Sequence, residues 1–313
     1  MLAYAIRRIL WTVPQLILVF TIVFFVMRVA GGDPTHVILG ELANAEALRN
    51  LRESLGLNRP LAVQYGVSLL SLLRGDFGRS MINNQPIAPQ VLEVLPYTLE
   101  LTAAAIVIGI LTGLPFGIVS AVRKNTMVDY LLRVFSLVGL SMPAFYLGVL
   151  LLIGFAVKLD YFPIIGFKEG GGLLQRLHFL FLPALSLGLT MAAFTSRMSR
   201  SSMLERLGAD YVRTARAKGL PESKVIFKHA LKDSLIPIIT VIGVYVGVLM
   251  GGSILTEMVF SRPGLGKFLI GAIQQRDYNA IQSGLVIYAG IVVLVNLAVD
   301  LAYGMVDPRV KYD

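Results

Sequence analysis

Six long apolar stretches alternate with polar ones along this chain, near Ile9–Val29, Thr98–Ala121, Leu131–Val157, Phe179–Met198, Leu235–Met258 and Gly284–Met305. Each is about 20 residues or more, the length a helix needs to cross a hydrocarbon layer of roughly 30 Å. The pattern predicts six transmembrane helices in an all-α membrane protein. Pro14, Pro115, Pro143 and Pro183 fall inside these runs, where neighbouring helices can satisfy the carbonyls a proline frees. The first run follows Arg7 and Arg8, as a cleaved signal peptide would. Its length suits a span, however, and Arg28 occupies the −3 position of the small-residue site at Ala30. The reading is an uncleaved signal-anchor.

Between the runs, the polar segments differ in texture. Gly31–Pro96 is the longest. Within it Leu48, Leu51 and Leu55, then Val63, Val67 and Leu70, recur at helical spacing, interrupted by Gly56 and Pro60. Short helices over Ala45–Leu55 and Leu61–Leu73 follow, with a turn at Gly75-Asp76-Phe77-Gly78. This segment is either a simple lid or a platform for an external partner. Gly170-Gly171-Gly172 predicts a flexible loop with no ligand pattern.

The segment Asp210–Pro237 is the most basic of the chain and lies between two apolar runs. Ala209–Lys218 is rich in helix formers, with Tyr211, Ala215 and Lys218 expected on one face and Arg213 and Arg216 on another. Gly219 is a natural helix stop. Pro221 suits the first turn of a new helix, with Glu222 where the helix dipole favours an acid. That second helix, Glu222–Leu235, carries Val225, Ile226 and His229 and runs through Pro237 into the fifth span. Thr214, Ala215, Ala217 and Gly219 keep the first helix thin enough for a groove on another protein. A basic retention loop is the plainer alternative.

Composition and charge then narrow the class. The chain has 313 residues, 56% hydrophobic and 15% charged, against about 25% charged in soluble domains. One integrated bundle, a single permease domain over 1–313, fits that length. The net charge of +9 reflects topology. With both termini inside, the cytoplasmic segments hold 16 of the 28 lysines and arginines and 7 of the 19 acids. A nucleic-acid-binding face is not implied. There is no cysteine and only three scattered histidines, which excludes disulfides and thiol chemistry and leaves no metal site to expect.

Motifs for autonomous chemistry are missing from the sequence. There is no GxxxxGK[ST], GxSxG or HExxH, and Pro263-Gly264-Leu265-Gly266-Lys267-Phe268 lacks the spacing and hydroxyl of a phosphate loop. Neither an enzyme nor a cofactor is expected. Ionisable groups in spans are few. Glu100 and Glu257 lie at span ends, where water is expected to reach them, and Asp300 follows Asn296 by one turn on the same helix face. Two glycine rows suggest close helix packing. Gly109, Gly113 and Gly117 are read as packing within the bundle; Gly243, Gly247 and Gly251 could pack, line a pathway or meet a partner subunit.

The motif Tyr211-Val212-Arg213-Thr214-Ala215-Arg216-Ala217-Lys218-Gly219-Leu220, followed by His229-Ala230-Leu231-Lys232-Asp233-Ser234-Leu235-Ile236-Pro237, resembles the cytoplasmic loop of ABC-importer permeases, and more narrowly of the dipeptide/oligopeptide branch. Ala215, Gly219 and Leu231 keep the general register; Arg213, Thr214, His229 and Lys232 depart from it in the manner of that branch. The resemblance runs the full length, through Gly32-Asp33-Pro34, Gly75-Asp76-Phe77-Gly78-Arg79-Ser80, Ser141-Met142-Pro143-Ala144-Phe145, Pro263-Gly264-Leu265-Gly266, Arg276-Asp277-Tyr278, Asn296-Leu297-Ala298-Val299-Asp300 and Asp307-Pro308-Arg309. Asn279 stands where proline is commoner. The resemblance implies a type I ABC-importer permease in a bacterial inner membrane: a first span (9–29), an outer segment (31–96) and a five-span core (98–305) that includes a coupling loop (199–234). It further implies pairing with a second homologous permease, two ATPase subunits and an extracytoplasmic binding protein. Tyr211, Arg213, Thr214, Ala215, Arg216, Ala217, Lys218 and Gly219 would then contact the ATPase. A stand-alone secondary transporter or channel is the competing class.

Overall fold

In the computed structural model, residues 2–30, 32–40, 43–165, 170 and 172–306 are described. Asp307-Pro308-Arg309, Lys311 and Gly171 lie outside them. The described residues are helical almost throughout: α1 (Leu2–Ala30), α2 (Pro34–Leu39), α3 (Ala45–Ser54), α4 (Leu61–Leu73), α5 (Ile87–Val122), α6 (Met127–Ser141), α7 (Ala144–Leu151), α8 (Leu173–Leu207), α9 (Asp210–Ala217), α10 (Glu222–Lys224), α11 (Leu231–Val259), α12 (Leu265–Gln274) and α13 (Tyr278–Val306). Wider π-helical turns extend α7 over Leu152–Lys158 and join α10 to α11 over Val225–Ala230. Five of these helical stretches are long and apolar enough to cross a membrane, or six if α6 and α7 count as one broken span.

That break is the main departure from six uninterrupted spans. The third predicted run bends by 105° between Ser141 and Ala144. Met142 is extended, at φ −98° and ψ 127°, because a residue before proline is pushed out of the helical region, and Pro143 then opens α7. Pro14, Pro183 and Pro237 instead lie within continuous helices. The second span also starts earlier than its apolar run, at Ile87, so the last ten residues of the outer segment are already helix.

The described residues divide into two compact units, one comprising those up to Pro96 and Pro263–Leu297, the other Tyr97–Arg262 and the helix from Ala298 to Val306. In the first, Ile87 and Val91 of α5, Leu265 and Ala272 of α12 and Ala280 and Ile281 of α13 form a buried core flanked by Val23 and Met27 of α1. The predicted outer helices form as α3 and α4. Asn44 caps α3 by accepting from the Ala47 amide, and Tyr65 of α4 shares a 2.8 Å hydrogen bond with Thr21 of α1. The short α2, capped by Asp33, has no counterpart in the sequence reading.

The second unit is built on α8. Leu101 and Ala105 of α5, Leu180, Ala184, Leu187 and Met191 of α8 and Leu249 of α11 make its central core. The first glycine row works as predicted. A Cβ on Gly113 would stand 2.5 Å from the Ala192 carbonyl, and one on Gly117 2.4 Å from Ser199 Cβ, so α5 and α8 approach at backbone distance.

Candidate functional site

The basic segment after α8 folds as a corner. Helix α9 is short, and its inner stripe is Val212 and Ala215, 0% and 5% exposed. They pack with Ala121, Met203, Val225, Ile226 and Ala230 into a separate small core. Ala215 is buried, while Tyr211 and Lys218, one turn to either side of it, are exposed. Residues three apart lie on one stripe, so Val212 and Ala215 turn inward together while Tyr211, Arg213, Thr214, Arg216, Ala217 and Lys218 stay exposed. The apolar i, i+3 pair Val212/Ala215, backed by Leu220, was the available signal.

Gly219 ends the helix as anticipated. Its φ of +75° is a region side chains disfavour. The Leu220 amide donates to the Ala215 carbonyl at 3.4 Å and the Gly219 amide to the Arg216 carbonyl at 2.9 Å. This is the Schellman pair of bonds, and Leu220 adds its apolar contact to the small core. Across the corner, Arg216 donates to Glu222 from Nε at 3.1 Å and Nη2 at 2.7 Å, and that bonding holds its guanidinium above the usual arginine range. Partial burial, then the hydrogen bond to Asp233, push the Tyr211 phenol up. Arg213 reaches Asp210 at 3.4 Å. Beyond the corner, Val225 and Ile226 point into the small core, whereas Phe227 is 61% exposed, an aromatic that the sequence reading passed over. The outward surface is thus four cations (Arg213, Arg216, Lys218 and Lys224), two acids, small side chains and two exposed rings on a locked frame.

The second glycine row does not form one seam. A Cβ on Gly243 would lie 2.6 Å from Val299 Cγ1, but one on Gly251 would meet nothing within 4 Å. Gly247 is half-buried and Gly251 is exposed beside Val248 and Leu255. Asn296 and Asp300 are half-buried, and Asp300 is engaged in an interaction.

Glu257 overturns its expected access to water: it is fully buried and accepts from Thr98 Oγ1 at 2.6 Å. Glu100 sits between two arginines, accepting from Arg262 Nη2 at 2.5 Å and from Arg176 Nε at 2.6 Å. Arg262 is 1% exposed; its burial lowers the guanidinium against the pull of Glu100. These groups tie α5, α8 and the end of α11 together.

In the first unit, three motifs far apart in sequence share one polar cluster. Asp277, 3% exposed, accepts from Ser80 Oγ at 2.5 Å, the Met81 amide at 3.1 Å and the Ala280 amide at 3.0 Å. Tyr278 donates its hydroxyl to the Gly32 carbonyl. Asn279 donates to the Arg79 carbonyl at 3.0 Å, a bond proline could not make. Asp33 accepts from the Thr35 amide and hydroxyl and pairs with Arg52.

Comparison with known proteins adds the following. A family model described as "Binding-protein-dependent transport system inner membrane component" matches residues 113–312, and one for the N-terminal part of such components matches residues 1–102. The dipeptide transport system permease protein DppB of Alkalihalophilus pseudofirmus is 43% identical, with all of both chains covered. A probable peptide ABC transporter permease of Sinorhizobium fredii is 39% identical over 99% of each chain. The glutathione transport system permease protein GsiC of Escherichia coli is 38% identical over all of both. Among solved structures, an inward-facing MetNI methionine ABC transporter matches with TM-score 0.56 at 20% identity, covering 70% of this chain and 96% of that one. An amino acid ABC transporter follows at 0.53 and 16%, covering 71% and 95%.

Proposed function

The chain belongs to the family of binding-protein-dependent transport system inner membrane components, a multi-pass permease subunit of a bacterial inner-membrane ABC importer, and from that premise we propose how it works and what it carries. Its cargo is a di- or oligopeptide or a related small solute; the names of its relatives give dipeptide, peptide and glutathione. It forms half of the pathway with a second homologous permease, receives cargo from an extracytoplasmic binding protein, and takes its energy from two separate ATPase subunits. Both termini and the α9 corner face the cytoplasm, in keeping with the crowding of lysine and arginine there. No cofactor is required on this chain.

The coupling element is α9 with its corner. The observation that carries this reading is the division of α9 itself: Val212 and Ala215 anchor it in the chain's own core, while the other side stays exposed. A helix held on one side and capped by a Schellman turn transmits a push as a rigid body. Tyr211, Arg213, Thr214, Arg216, Ala217 and Lys218 supply the surface an ATPase cleft would grip, with Gly219 as the fixed corner and Phe227 as a flanking anchor.

The test uses the whole complex in proteoliposomes with ATP. Ala217→Trp thickens the exposed side without touching the inner core. Uptake and ATPase stimulation should both collapse while the variant still inserts and assembles with its partner permease. Normal uptake by that variant would falsify the coupling role. Uptake by this chain reconstituted alone, without ATP, would instead support a stand-alone transporter. Mass spectrometry of the ligand on the co-purified binding protein identifies the cargo.

A further inference from the structure

Between α6 and the end of α8 that leads to the α9 corner lies a cavity of about 560 Å³. At its wall Asp129, wholly buried, is held from four directions: Ser120 Oγ at 2.6 Å, the Asn125 amide at 3.0 Å, and Arg200 through Nε at 2.8 Å and Nη2 at 2.9 Å. That fork satisfies Arg200 and uses up the single acid beside the cavity. Two further arginines line the same space with no carboxylate partner among the described residues. Arg133 sits with Cζ 5.1 Å from the Tyr130 ring and Arg197 with Cζ 6.0 Å from the Phe194 ring. Each is exposed. The cavity therefore has an excess of two positive charges.

Ser136, Ser196 and Ser201 line part of the rest, and the open flank is oily. Val134 and Leu137 on α6 are 56% and 66% exposed, and both line the cavity together with Leu204 of α8. Cations beside an open apolar flank, on helices that cross the membrane, suit a molecule with an anionic head and a hydrocarbon tail. A free anion would gain nothing from the leucines, and a zwitterionic headgroup would bring its own cation to the arginines.

The geometry points to a site for an anionic phospholipid, its phosphate held by Arg133 and Arg197 and its acyl chain laid along Val134 and Leu137. Basic recesses between transmembrane helices take lipid headgroups by this combination of charge and burial. Because the site adjoins the α8 segment that carries the coupling corner, lipid occupancy braces α6 against α8 at that end. This does not depend on which solute is carried.

The experiment uses the intact permease complex purified in mild detergent, with retained lipid measured by native mass spectrometry after exchange against phosphatidylglycerol, phosphatidylcholine or inorganic phosphate. Wild type should hold phosphatidylglycerol over phosphatidylcholine, and millimolar phosphate should not displace it. Arg133→Gln with Arg197→Gln should weaken retention by about five-fold for each arginine removed. Leu137→Trp, which fills the apolar flank and leaves every charge in place, should weaken it as well. Arg133→Lys should keep most of it, reporting that the double variant fails through charge and not through misfolding. Equal retention of the two lipids by wild type, or unchanged retention in the double variant, overturns the site. Displacement by inorganic phosphate, or full retention in Leu137→Trp, overturns its assignment to a lipid.

Discussion

The corner at Gly219 and the cluster around Asp277 are both short polar structures set between apolar helices, yet they treat their polar groups differently. At Asp277, acceptors and donors are turned inward and matched: Ser80, Met81 and Ala280 all donate to one buried carboxylate. At Gly219 two Schellman bonds and a small apolar core fix the shape, and the side-chain pairs Arg216–Glu222 and Arg213–Asp210 lie on the exposed surface. The side chains of Arg213, Thr214, Ala217 and Lys218 are left outside. A polar group satisfied internally serves the fold, since an orphaned buried partner is costly. One left exposed on a rigid frame is available to a partner. The contrast separates structural motifs from contact motifs in a chain where both kinds form part of the family resemblance.

The contrast is broken most directly at Asp277. Asp277→Ala strands a hydroxyl and two amides, and should cost at least about 3 kcal/mol of stability. The readout is the thermal unfolding midpoint in detergent, together with the amount of protein in the membrane. Asp277→Asn keeps a carbonyl acceptor and should fall between. An unaltered midpoint for the alanine variant would mean the cluster is not structural.

Ala217→Trp probes the opposite case. Here the unfolding midpoint should stay where it is while ATP-driven uptake drops at least about ten-fold, the effect of losing a well-packed contact. Phe227→Ala should act in the same direction and more weakly. Destabilisation by either would show that the exposed side of the corner serves the fold after all.

Gly219→Ala sharpens the comparison because it touches the frame and not the surface. A methyl group there meets nothing within 4 Å, so the cost is that of holding φ at +75°, about 1 kcal/mol. Stability should fall by that amount, and uptake should fall only as far as the corner reshapes. A much larger loss of uptake than of stability would mark the angle of the corner as the transmitted quantity.

How much of this could be read beforehand follows the range of the interactions. The spans, α3, α4 and the stop at Gly219 are local patterns, and hydrophobic runs, helical spacing and glycine placement expose them. The early start of α5 was hidden by Pro96, which marks a boundary in sequence but is accommodated within the helix. The break of the third span needed weight on Met142, whose pre-proline position outranked the apolar run around it. Val212 was legible as an i, i+3 partner of Ala215, set among cationic neighbours that mask the apolar pair. The Asp277 cluster joins residues nearly 200 positions apart, and the burial of Glu257 depends on Thr98 from another helix. No local spacing encodes either.

The smallest expected effect concerns Asp33, at the margin of the inward-turned cluster. Burial raises its carboxyl, but the amide and hydroxyl of Thr35 and the guanidinium of Arg52 outweigh that, so it sits below its ordinary value. A depressed carboxyl adds stability that is fully present above its unfolded pKa of about 4 and is lost as pH falls through its folded value. Unfolding midpoints measured downward from pH 6 should therefore begin to drop near pH 4, and Asp33→Asn should remove that part of the slope. Arg52 is 44% exposed, and solvent screening keeps the contribution to at most about 1 kcal/mol.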